Sequence, residues 1–202
     1  GILAFPFLFH LTGLVNVPDS VLWTSAVLSL IFLSLTAVLL IKDLDQPTRF
    51  LYVLLRPHWT SWLVKGGYTI TVFGGLVTLW GVLKYFELSV MADLLIWPIL
   101  ILSVLLAIYT AFLFGQAKGR DFWQSPLLSV HMLLHAVVGG SAALLVISPF
   151  WPDILPLVTL LKGILFWSLV IQLLSFAAEF LSSHPTEDAG KTAHSITHGK
   201  RS

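Results

Sequence analysis

The chain contains no cysteine in 202 residues. It therefore forms no disulfide and supplies no thiolate to an iron–sulfur cluster, so any such cluster working with it belongs to another subunit. Charge is scarce as well. Asp, Glu, Lys and Arg make up 10% of the residues, against about 25% in soluble domains. Hydrophobic residues reach 57% and the mean hydropathy is +0.92. A water-soluble fold of this composition would lack the polar surface to cover itself. The net charge of +1 carries none of the basic excess expected of a nucleic-acid-binding surface, so no nucleic-acid partner is expected.

The few charges are unevenly placed. Segments 21–41, 66–83, 94–117 and 122–152 contain no Asp, Glu, Lys or Arg. Each is long enough to cross the roughly 30 Å apolar slab of a bilayer as a helix. A fifth segment, 154–178, is interrupted only by Lys162, whose long stem can snorkel toward the interface from a near-terminal position. Segment 1–17 is apolar but short and has no basic stretch ahead of it, so it reads as the end of a helix cut short rather than a secretory leader. The expected fold is all-α: a polytopic transmembrane bundle of five complete spans plus a partial first helix. Residues 1–181 form the membrane domain, and 182–202 form a polar interfacial tail or a loop cut short, carrying His184, Glu187, Asp188, Lys191, His194 and His198.

Threading the spans alternately puts Lys42, Arg49, Arg56, Lys65, Lys118, Arg120, Lys191, Lys200 and Arg201 on one side, with Lys84 and Lys162 opposite. The positive-inside tendency would make that basic side cytoplasmic. The same residues, Arg49, Arg56, Lys118 and Arg120 above all, also suit a docking surface for a soluble subunit. Polar connections are expected at 42–65, 84–93, 118–125 and 148–156. The glycine pairs Gly66–Gly67, Gly74–Gly75 and Gly139–Gly140 fit close helix–helix approach.

Several polar side chains fall inside or at the ends of spans, where they are expensive unless they face a cavity or a partner. Tyr109 and Gln116 are two turns apart on one helix face. His131 and His135 are one turn apart on the next span, and Gln172, Ser175 and Glu179 form a third stripe ending on the same basic side. Tyr, His and Lys are the groups a quinone head requires: donors to its carbonyl oxygens and protons to accompany two electrons, with His titrating near neutrality. On this reading Tyr109 and His131 are head-group candidates, and His135, Glu179 and Lys162 are proton-relay candidates. No electron carrier is evident in the chain. Simple packing bonds between helices would explain each of these polar residues one at a time.

The loop "DLDQPTRF", followed by "RPHWTSW" and a glycine-bearing helix, resembles the D-L-G-R-P region of the NrfD/PsrC family of polysulfide-reductase-type membrane subunits. "YTAFLFGQAKGRDFWQSPLL" looks like that family's fourth helix and following loop, and "HPTEDAGKTAHSITHG" like the polar segment before its seventh. The resemblance implies a haem-free anchor of eight core helices that binds menaquinone or ubiquinone beside an iron–sulfur subunit, itself joined to a molybdopterin catalytic subunit in a prokaryotic inner membrane. By position it implies that Asp43, Lys65 and Gly66 line the quinone pocket and that Tyr109 matches a quinone-contacting tyrosine. The family's first-helix contacts would precede Gly1 and its last two helices would follow Ser202. The loop departs from the pattern in reading Gln46 where the family has Arg, with Arg49 close by as a compensating cation. In many members this loop is periplasmic, the opposite of the positive-inside orientation.

Two further readings compete. One is a haem b anchor pairing His10 with His131 or His135, since two histidines one turn apart on one helix cannot clamp both faces of one haem. The other is an ion- or proton-translocating, or purely structural, membrane subunit.

Overall fold

The computed structural model describes residues 1–42, 58, 60–115 and 127–181, with side chains as far as 178. A short helix α1 (Ala4–Thr12) is followed by α2 (Asp19–Lys42), α3 (Trp62–Tyr85), α4 (Ser89–Gly115), α5 (Leu128–Ile147), two single 3₁₀ turns at Ser148–Phe150 and Pro152–Ile154, and α6 (Leu155–Leu181). Among the described residues there is no strand, as expected for an all-α bundle. Five of the helical segments are long and apolar enough to cross a bilayer. Their outward faces carry Leu, Ile, Phe and Trp, including Leu94, Ile101, Trp167 and Leu173, each at least 59% exposed. On a water-soluble protein these would form an untenable apolar surface; against lipid they need no cover.

The ends of the helices follow local chemistry. Gly13 closes α1 in the left-handed region (φ 64°), and its N–H donates to the Phe9 carbonyl at 3.0 Å. Pro18 precedes α2 and cannot extend a helix backwards, while Asp19 in the first turn complements the positive end of the dipole. The α3–α4 hairpin turns within residues 86–88. Glu87 takes φ 60°, and the Leu88 N–H reaches back to the Leu83 carbonyl at 2.9 Å. Pro98 lies inside α4 and leaves the Leu94 carbonyl without its usual donor, a defect tolerated in membrane helices where neighbours compensate.

Two boundaries differ from the charge-based reading. Lys65 was placed in the 42–65 connection, but it lies within α3, and Asp93, placed in the 84–93 connection, lies within α4. The cause is pairing. A partnered charge is cheaper to hold at the edge of the apolar slab, and here Lys65 lies over Trp62 while Asp93 faces Lys84 and His10. The segment read as 122–152 resolves into α5 ending at Ile147, followed by the 3₁₀ turns, because Pro149 and Pro152 interrupt helical hydrogen bonding.

The short α1 is inserted at one end of the bundle. Phe7 is fully buried and its ring packs on Trp80 of α3 at 4.8 Å, and Trp80 in turn meets Trp23 of α2 at 5.6 Å. Leu22, Ile96 and Ile99 complete this aromatic and aliphatic layer, all fully buried. The hydroxyls within the spans are mostly satisfied by their own helix: Thr24, Thr69, Ser141 and Ser168 each donate to a carbonyl one turn back, at 2.6–2.8 Å. Polarity in these spans is therefore not by itself a sign of a site.

Candidate functional site

The antiparallel pairing of α3 and α4 brings Tyr109 against Gly66. A Cβ at Gly66 would overlap the Tyr109 ring, so the phenol side chain occupies the space that glycine leaves open. One turn away along the same pair of helices, Trp62 of α3 stacks on Phe112 of α4, with ring centroids 4.5 Å apart and planes 14° from parallel. The Lys65 ammonium lies 4.3 Å from the Trp62 ring centroid. Such a cation–π contact contributes about 0.5–2 kcal/mol depending on desolvation, enough to hold a lysine at the edge of an apolar slab. Three of the sequence candidates, Lys65, Gly66 and Tyr109, thus lie together at one end of the α3–α4 pair. Trp62 and Phe112, which complete this end, carry no signal in the spacing of polar residues along the chain.

The histidines separate. His131 is 4% exposed and stacks on Phe176 of α6, with centroids 4.5 Å apart, whereas His135, one turn further along α5, is exposed. Helical spacing placed the two on one face, but only His131 is enclosed between α5 and α6. Lys162 is exposed near the start of α6, at the far end of that helix from Phe176 and His131. Glu179 lies in α6 with its side chain outside the described residues, while Asp43, Arg49, Arg56, Gln116, Lys118 and Arg120 fall outside them altogether.

A second polar cluster forms at the opposite end of the bundle. Lys84 of α3 lies 3.4 Å from Asp19 of α2 and 3.8 Å from Asp93 of α4, and Asp93 also meets Nε2 of His10 on α1 at 3.6 Å. Ser20 donates to Asp153 beside it. Four helices are tied together here by side chains that the sequence showed only as scattered charges. The position of His10 also bears on the haem reading: it sits in this cluster, at the other end of the bundle from His131, so the two cannot be the axial ligands of one haem.

Two cavities complete the picture. One, of about 440 Å³, lies between the start of the chain and α2, α3, α4 and α5, where small side chains such as Ser29, Ser103 and Gly139 leave space between Phe32, Phe73 and Leu106. Ser29 and Ser103 donate to carbonyls of their own helices at 2.8 and 2.7 Å, so they present only acceptor lone pairs to the space. The other, of about 480 Å³, is a groove between α2 and α3. Neither is lined by a carboxylate, lysine or histidine side chain. The charged side chains lie outside both, and the Tyr85 phenol stands at the edge of the second.

The family model described as polysulphide reductase, NrfD, matches residues 2–196. The chain belongs to the NrfD family. It is a multi-pass helical membrane protein and a membrane subunit of a respiratory oxidoreductase complex, associated there as an anchor with the redox enzyme. No curated protein and no solved structure matches the chain. Within this NrfD subunit, the α3–α4 end holding Tyr109 and Lys65 is the place where described polar and aromatic groups converge away from a charge-neutralising cluster.

Proposed function

We propose that the chain is the quinone-reactive subunit of its complex, exchanging electrons between a partner iron–sulfur subunit and the quinone pool of a prokaryotic inner membrane, with a molybdopterin or related subunit as the catalytic partner. The observation that carries this reading is the seating of Tyr109 on Gly66 beside the Lys65–Trp62–Phe112 stack. Menaquinone or ubiquinone, when bound, supplies two-electron, two-proton redox chemistry. The groups at the α3–α4 end fit such a head: a phenol O–H that donates to a carbonyl oxygen, an ammonium that favours developing negative charge, and flat aromatic faces against which a ring can stack.

In this reading Tyr109 orients the head and holds a proton at its Oη, fixed in place because the Gly66 backbone leaves its ring one shelf to rest on. Lys65 stabilises charge at the same end, steered by Trp62. His131, buried against Phe176, is a second proton-holding group on the neighbouring interface, while Asp43 and the relay candidates His135, Glu179 and Lys162 are assigned by sequence and family position alone. Arg49, Arg56, Lys118 and Arg120 would receive the iron–sulfur subunit.

The test is Tyr109→Phe in the intact complex. Loss of one directed hydrogen bond predicts a fall of about tenfold in quinone-linked turnover, with reduction or oxidation of a soluble dye by the catalytic partner unchanged. Unchanged quinone-linked turnover in both Tyr109→Phe and Lys65→Met would remove the head-group assignment.

A further inference from the structure

The groove between α2 and α3 lies outside the quinone proposal and does not depend on it. Its walls are Trp23, Val27 and Leu30 on α2 and Val77, Gly81 and Val82 on α3. At its floor the Trp23 ring packs against Gly81, 3.3 Å from where a Cβ would stand, so a side chain at that position would push the ring into the groove. Tyr85 and Phe86, 76% and 66% exposed, form its rim at the end of α3. Tyr and Trp in this position mark the level of the lipid headgroups.

Directly above the groove the two helices are bridged by Asp19 and Lys84. Asp19 is one turn before Trp23 on the same face of α2, and its side chain is 71% exposed, whereas that of Lys84 is only 12% exposed. The free side of the pair is therefore the carboxylate. The surroundings are acidic: Glu87, Asp93 and Asp153 share this end with Asp19, against Lys84 and His10, and Lys162 lies about two turns down α6.

An acyl chain gains little from leaving bulk lipid for an equally apolar groove, so selectivity has to come from the headgroup. A headgroup bearing only negative charge is repelled by this acidic end. A primary ammonium is attracted and can donate a charge-assisted hydrogen bond to Asp19, which a quaternary ammonium cannot. We propose that the α2–α3 groove holds an acyl chain of a phospholipid with a primary-amine headgroup, the ammonium being received by Asp19. The phenol of Tyr85 stands at the rim, within reach of the ester and phosphate region of such a lipid.

The experiment uses the full chain, purified together with the subunits that accompany it, equilibrated in nanodiscs of equal parts phosphatidylethanolamine, phosphatidylglycerol and phosphatidylcholine. Retained lipid is then counted by native mass spectrometry after release into mild detergent. The expected result is retention of phosphatidylethanolamine about tenfold above the other two. Asp19→Asn should abolish that preference. Val27→Phe and Thr78→Phe, both at exposed positions of the groove, should remove the retained lipid, and Leu173→Phe on the lipid face of α6 should leave it. Equal retention of all three lipids by the unaltered protein overturns the proposal. So does undiminished phosphatidylethanolamine in the groove-filled variants, or loss from those variants of a polypeptide subunit instead of a lipid.

Discussion

The Tyr109 ring rests on the backbone of Gly66, in a space that a single methyl group would close. The contact is steric on one side and chemical on the other, and two substitutions separate these roles. Gly66→Ala should push the ring aside and destabilise the subunit by about 1–3 kcal/mol, read as a lower unfolding temperature in detergent. Tyr109→Phe keeps the ring and should change stability by less than about 0.5 kcal/mol while lowering quinone-linked turnover. If Gly66→Ala unfolds at the same temperature as the unaltered protein, the close approach is not what positions Tyr109.

The Lys84 cluster should respond unequally to loss of its members. Lys84→Met leaves the partly covered Asp93 carboxylate facing only His10, and a loss of about 1–3 kcal/mol is expected, discounted from the value for a fully buried pair because Asp93 is 42% exposed. Asp19→Asn removes a carboxylate that is largely in contact with solvent and should cost no more than about 0.5 kcal/mol. Thermal unfolding of the two variants side by side decides the order, and the reverse order would mean that Asp19 is the main anchor of Lys84.

Glu87 takes up a left-handed backbone conformation that costs a non-glycine residue about 1 kcal/mol. Glu87→Gly should therefore raise stability by up to about 0.5 kcal/mol, the relieved strain being largely offset by the entropy cost of glycine. A lower unfolding temperature in this variant would show that the Glu87 side chain contributes more than its backbone costs.

The absence of cysteine gives a clean background for topology. Thr60→Cys and Glu87→Cys stand just outside opposite ends of α3, both at exposed positions. A membrane-impermeant maleimide applied to oriented vesicles should label one and spare the other. Which one is labelled from the cytoplasmic side decides between the positive-inside orientation and the orientation common in the NrfD family. Labelling of both from one side would mean that α3 does not cross.

The five spans were legible because hydropathy summed over some twenty residues is a bulk property that neighbours seldom overrule. Their ends were not. Lys65 and Asp93 looked like loop residues because the groups that accept them, the Trp62 ring and the Lys84–His10 pair, come from other turns or other helices. Helical spacing put His131 and His135 on one face, but residues four apart differ by about 40° around the axis, enough at a narrow two-helix interface to enclose one and expose the other. Tyr109 was legible as a polar side chain within a span as well as through the family, yet its pairing with Gly66 depends on the register of α3 against α4, and that register is set by the three-residue turn at 86–88. The Asp19–Lys84–Asp93–His10 cluster draws one residue from each of four helices, a kind of signal that one-dimensional spacing does not contain.

The layer formed by Phe7, Trp80, Leu22, Ile96 and Ile99 lies between the acidic end of the bundle and its interior cavity. It contains no ionisable group, and Trp80, its largest side chain, is fully buried. In an energised membrane a layer of such low polarisability is where the voltage falls most steeply, and an ion would have to give up its water to enter it. Among the described residues this layer therefore holds no titratable group that could pass a proton between the Lys84 cluster and the cavity beyond it.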